Sequence, residues 1–114
     1  MRKIQQAAVY LAELGFFPQL SGFGYLAFAI AVVAEDPMAY YSGRVNVLKL
    51  ILLDYGVSIV CARRCMNYCI RSAWDAPGNN ALRAIFPACS GKYPPALFEF
   101  ICRAAIEVGV RFGE

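Results

Sequence analysis

Cysteines recur at every fourth position through residues 61, 65 and 69. On a helix such thiols are neighbours, and neighbours at i and i+4 can share a metal ion. The sequence holds no histidine, so only Cys89 and Cys102 could complete a tetrahedral thiolate site. A plainer account fits better: cysteine packs as a small apolar residue and sits where alanine would. Cys89 precedes Ser90-Gly91 in a loop, but no base is at hand to make it a nucleophile. There is no G-x-S-x-G, no P-loop and no glycine pattern after a strand. The carboxylates are few and scattered. We expect no catalytic residue, no metal and no cofactor, hence a chain that is not an enzyme.

A second constellation lies in the same stretch, Ser58 to Trp74 (S-I-V-C-A-R-R-C-M-N-Y-C-I-R-S-A-W). Ser58 suits an N-cap, because its hydroxyl can accept from backbone N–H groups of the first turn. At about 100° per residue, Ile59, Ala62, Met66, Cys69, Ile70 and Ala73 fall on one side of the helix. Arg64, Asn67, Tyr68 and Arg71 fall on the other. Guanidinium and amide groups pair with guanine, adenine and phosphate. Before this helix, Val47 to Tyr55 reads as a short helix stopped by Gly56, which tolerates φ > 0. Helix, Gly-Val-Ser turn, helix is the spacing of a helix-turn-helix, over about residues 45–74.

Charge follows that stretch. From Arg44 to Trp74 there are five basic residues and one acid, a net of +4. The remainder holds six basic and seven acidic groups, a net of −1, within a whole-chain charge of +3. The excess suits a polyanion.

The 114 residues suffice for one domain with one core. The composition is 60% hydrophobic, so a membrane span must be weighed. The longest uncharged run, Leu14 to Ala34, is interrupted by Pro18, Gln19, Ser21 and three glycines. Its continuous apolar part, Tyr25 to Ala34, is far short of the ~20 residues that cross a bilayer. The start, Met-Arg-Lys-Ile-Gln-Gln, lacks the apolar region of a signal peptide. An odd number of cysteines suits reduced thiols. We expect a soluble, cytoplasmic protein with no membrane and no small-molecule substrate.

No segment alternates with period two, so the fold class is all-α, with about six helices in a single domain spanning 1–114. Arg2 to Leu14 is the first, with Ile4, Ala7, Ala8, Leu11 and Leu14 on one stripe and Gly15 as its stop. Gly22 to Glu35 is apolar almost all round, the mark of a central helix or one covered by a partner. Asp36-Pro37 ends it, and Met38 to Gly43 connects. After the two helices described above, Asn79 or Asn80 caps a short helix ending at Phe86. Pro87 to Pro95, with Gly91, is a loop. Pro95 opens a last helix from Ala96 to about Phe112, buried through Leu97, Phe100, Ile101, Ala104, Ala105 and Val108.

Landmarks from Leu11 to Val108 resemble a known family. Glu13-Leu14-Gly15 and Gly22-Phe23-x-Tyr25-Leu26-x-x-Ala29-Ile30 come first; Val47-Leu48 with Tyr55 follows. Arg64, Ile70 and Ala73-Trp74, then Gly78-Asn79, Ile85-Phe86, and Pro95 with Glu99-Phe100-Ile101 complete the order. The chain resembles the C-terminal DNA-binding effector domain of the master sporulation response regulator of endospore-forming bacteria. The resemblance implies a six-helix fold with a helix-turn-helix, transcriptional regulation, and a dimer-like arrangement on DNA. It also implies small core residues at Cys65 and Cys69. The recognition helix differs. The family's opens Ser-Arg-Val-Glu-Arg with a histidine further on; here Val60-Cys61-Ala62-Arg63-Arg64 stands, with Tyr68 for the histidine. These residues include no receiver domain, so a stand-alone effector-like domain is expected.

The expected partner is double-stranded DNA, with a homodimer as the second association. Arg64, Asn67 and Arg71 would face the major groove and Arg63 its edge, with Tyr68 and Ser58 on the same helix. Lys49 or Arg44 would lie on phosphates. The alternative is a protein-interaction or dimerisation module that keeps the fold but has lost DNA reading. Outward apolar residues such as Val60, Cys61 and Tyr68 favour it.

Overall fold

The computed structural model describes residues 2–89 and 93–113. The described residues form seven helices and no strand: α1 (Arg2–Glu13), α2 (Ser21–Glu35), α3 (Pro37–Tyr41), α4 (Val47–Tyr55), α5 (Ile59–Asp75), α6 (Asn80–Ile85) and α7 (Leu97–Phe112).

The near-uniform apolarity of α2 is explained by its position. It packs against α1, α3, α4, α5 and α7, and Leu26, Ala27, Phe28, Ala29, Ile30 and Val33 are buried in the one core. A helix surrounded by others has no use for a polar face. The amphipathic helices close around it. α1 contributes Ala7, Tyr10 and Leu11; α4 contributes Val47, Leu48 and Ile51; α7 contributes its whole expected stripe from Leu97 to Val108. Phe100 stacks on Phe16 with ring centroids 5.2 Å apart and leans on Phe86 at 6.0 Å.

One polar side chain joins three elements at the end of this core. The amide of Asn79 donates to the carbonyl oxygens of Leu14 (3.0 Å) and Ala73 (2.8 Å), and its oxygen accepts from the Leu82 N–H (3.2 Å). It thereby caps α6 and holds the ends of α1 and α5 beside it. Nearby, Arg83 donates to the Trp74 carbonyl oxygen at 2.8 Å and lies over the indole ring. Arg111 forms an ion pair with Glu13, tying α7 to α1.

The structure differs from the sequence-based expectation at several ends. Met38 to Gly43 is not merely a connection, because Pro37–Tyr41 forms the short helix α3 and raises the count from six to seven. The Asp36 carboxylate accepts from the Ala39 N–H at 3.1 Å, and Pro37 fills a first-turn position whose N–H would be unbonded anyway. The same Asp-Pro pair thus stops one helix and starts the next. Leu14 falls beyond α1, and Phe86 beyond α6. Pro95 is not the first residue of α7: Ala96 is the N-cap and Pro95 precedes it. Gly91, placed in the loop before α7, lies outside the described residues.

Candidate nucleic-acid interface

α4 and α5 are joined by three residues, Gly56, Val57 and Ser58. Each end of the connection has a local cause. Gly56 ends α4 in the left-handed region at φ 68°, and its N–H donates to the Leu52 carbonyl oxygen. Ser58 is extended, and its Oγ accepts from the Cys61 N–H at 3.0 Å. At the other end of α4, Asn46 accepts from the Lys49 N–H at 3.2 Å.

Both helices are held against α2. Tyr55 meets Tyr25 and Phe28 edge to face, at 5.2 and 5.6 Å between ring centroids. Further along, α2 crosses α5 at Gly22, where a β carbon would lie 2.2 Å from the Cys65 carbonyl oxygen and 2.9 Å from the Cys69 β carbon. Only glycine permits that approach.

Beside the crossing and turning away from it, Arg64, Asn67, Tyr68 and Arg71 are all exposed. Their spacing of i, i+3, i+4 and i+7 places them on one face of α5. Ala62, Met66, Cys69, Ile70 and Ala73 are buried on the other, as the helical wheel required. Ile59 is the exception, at 37% exposed. Residues 58–61 are all exposed, so the first turn of α5 stands clear of the core and burial begins at Ala62.

The other basic residues of the expected DNA-binding set lie off this face, and Arg71 on it is already paired. Arg63 turns aside, its guanidinium carbon 5.6 Å from the centroid of the Phe98 ring on α7. Arg71 pairs with Asp75 at 3.3 Å, one turn on. Asp75 lies just past the window read as strongly basic, and its carboxylate offsets one of the five positive charges there. Lys49 is exposed in the first turns of α4, about 9 Å along the axis from Tyr55 at 1.5 Å per residue. Arg44 precedes α4 and donates from Nε to the Ser42 hydroxyl at 3.1 Å. Among the described residues, the side chains of Arg64, Asn67 and Lys49 have no hydrogen bond or ion pair within the chain.

A feature that residue types alone did not reveal sits beside this face. An apolar pocket of about 360 Å³ lies between the start of α2 and α5, lined by Leu20, Ser21, Gly22, Arg64, Cys65 and Tyr68. The only hint in the sequence is Gly22, the residue that lets the helices meet. The cysteines do not converge on a metal site: among the described residues, no three metal-ligating side chains come together. Successive steps of four residues turn about 40° around a helix, which carries the chain from exposed Cys61 through half-buried Cys65 to buried Cys69. Burial pushes the Cys65 thiol up, with a further contribution from the neighbouring Cys61 thiol. Burial also raises Cys69 to about 11.

No protein-family model matches the chain, and no curated protein matches it significantly. Among the described residues, no helix is long and apolar enough to cross a membrane.

Proposed function

We propose that this chain is a sequence-specific DNA-binding transcriptional regulator that presents α5 to the major groove. The observation that carries the proposal is the exposed face formed by Arg64, Asn67, Tyr68 and Arg71. It stands on a helix buried on its opposite side and preceded by a three-residue turn. A recognition helix needs that combination: polar side chains able to reach base edges, on a support that cannot rotate. Arg64 and Asn67 are the base readers in this account, because neither side chain is bonded to another group among the described residues. Arg71 serves a phosphate. Its exposed pair with Asp75 is worth only about 0.3–0.5 kcal/mol, which a phosphate can displace.

The resemblance to the sporulation effector domain supports the same reading. Its landmarks Gly22, Tyr25 and Tyr55 are the residues that seat α4 and α5 on α2.

The test is fluorescence anisotropy of the whole chain with two labelled duplexes, one carrying the operator of the resembled family and one scrambled, across a salt series. Specific binding should weaken steeply with salt. Arg64→Ala should weaken it by about 1–3 kcal/mol, some 5- to 150-fold. Absence of binding at low salt overturns the proposal.

A specific observation favours a second reading, a protein-interaction module. Leu53 on α4 and Val60 on α5 are each 65% exposed beside the same turn. Exposed aliphatic side chains there suit a protein surface better than a phosphate backbone. Binding to neither duplex, with a folded chain, moves the assignment to this module.

A further inference from the structure

A second apolar surface lies where α3 faces the C-terminal half of α7. Met38 and Tyr41 on α3 are 68% and 54% exposed, and Ile106 and Val110 on α7 are 54% and 79% exposed. Between the two helices is a shallow pocket of about 230 Å³, walled by Pro37, Tyr41, Ile106, Gly109 and Val110 and floored by Val33 at the end of α2. Val110 is among the most exposed hydrophobic residues of the chain, yet it sits one turn from Ile106 on the same helical face.

Gly109 adds a separate observation. It lies inside α7, where glycine costs about 1 kcal/mol relative to alanine. A β carbon added to it would meet nothing within 4 Å, so no packing among the described residues calls for glycine there. It leaves a flat place on α7 between Ile106 and Val110, where another backbone can come close.

We infer that this α3–α7 face is the interface of a symmetric homodimer, with the two α7 helices crossing near Gly109. The area is enough for a second copy of the chain. With exposures of 54–79%, and with the range of ~150–250 Å² for an aromatic side chain as an upper guide, the four residues supply on the order of 400–500 Å² of largely apolar surface. A standard interface takes about 800 Å² from each partner, and homodimer interfaces are about 65% apolar, again roughly 500 Å². The four residues carry no charge that would select an oppositely charged partner. The Arg103–Glu107 ion pair lies along the edge of the face and provides a polar rim. Near a two-fold axis the same residues meet themselves, which suits an uncharged, flat centre. The pocket also lies at the far end of α2 from Gly22, about 16 Å along its axis, so the dimer leaves the Arg64 face uncovered.

The interface stands whether or not the chain binds DNA, and its test contains no DNA. Sedimentation velocity of the whole chain should show the 12.6 kDa monomer giving way to twice that mass as concentration rises from about 1 to about 200 μM, the range of ordinary dimer affinities. Gly109→Glu places a charge at the centre of the interface on a β carbon that has open space in the folded monomer. It should weaken the dimer at least about 100-fold while the helical circular dichroism and the melting temperature at low concentration hold or rise. Val110→Glu should do the same. Leu53→Glu, on the α4 surface, should leave the dimer intact. A chain monomeric throughout overturns the inference, as does a dimer that survives Gly109→Glu and Val110→Glu, or one that Leu53→Glu dissociates.

Discussion

Gly22 lies so close to Cys65 that a β carbon on the glycine would sit 2.2 Å from the cysteine's carbonyl oxygen. The crossing of α2 and α5, and with it the direction of the Arg64 face, depends on that missing carbon. Gly22→Ala should therefore push the helices apart and destabilise the fold by at least about 1–3 kcal/mol, the usual cost of overpacking. Gly24, two residues on in the same helix, has nothing within 4 Å of an added β carbon. Gly24→Ala should stabilise by about 0.5–1 kcal/mol, because it gains helix propensity without a clash. Urea midpoints of the two variants should move in opposite directions. A common direction would contradict the packing described.

Asn79 should be the most sensitive polar residue. Asn79→Ala removes the cap of α6 and the donors to Leu14 and Ala73, leaving half-buried carbonyls with one partner fewer. At 0.5–1.5 kcal/mol per hydrogen bond, the expected loss is about 2–4 kcal/mol. Asn79→Asp keeps the acceptor for the Leu82 N–H but loses both donors, so it should recover only the capping part. Thermal or urea unfolding of the three proteins would rank them: wild type, then Asp, then Ala. Equal stability of Asp and wild type would show that the two carbonyl contacts contribute nothing.

Stability should fall on the alkaline side. Burial raises the Cys69 thiol to about 11, and burial, followed by the nearby Glu107, raises the Tyr10 hydroxyl to about 12. Tyr40 is pushed to about 12 as well, chiefly by burial. In each case the unfolded chain gives up its proton at lower pH than the folded chain does. The folded state then holds more protons, and the slope of unfolding free energy with pH is negative. The contribution of Cys69 is complete below about pH 9 and lost as pH rises toward 11. Urea midpoints measured in reductant should be level near neutrality and decline from about pH 9, with a shallower decline in Cys69→Ala. A flat profile to pH 10.5 would show that these groups are not buried as described.

The Arg71–Asp75 pair offers a graded test of the DNA reading. Both side chains are about half exposed, so Asp75→Asn should change stability by less than about 0.5 kcal/mol. It also frees Arg71 and removes a negative charge from the end of the reading face. Affinity for both duplexes should rise together, and the dependence on salt should steepen by about one ion. An increase confined to the specific duplex would place Arg71 on a base rather than on a phosphate.

The sequence by itself was sufficient for the helical class and for the faces of the long helices. Periodicity is a local property: the stripe Ala62, Met66, Cys69, Ile70 and Ala73 is buried because residues spaced by three and four must share a side. The cap at Ser58 and the stop at Gly56 were legible for the same reason, and the cap of α6 was narrowed to Asn79 or Asn80, since each acts within a few residues of itself. Which of the exposed arginines remain available depends on their partners: Arg71 pairs with Asp75 on its own helix, whereas only the tertiary structure brings Phe98 of α7 under Arg63. Asp75 lay at a readable spacing of four; Phe98, thirty-five positions from Arg63, did not. The same holds for Gly22, whose role is set by the carbonyl of a residue forty-three positions away. Contacts of that kind depend on how helices cross, and a crossing is fixed by packing against the whole core rather than by the pattern along any one helix.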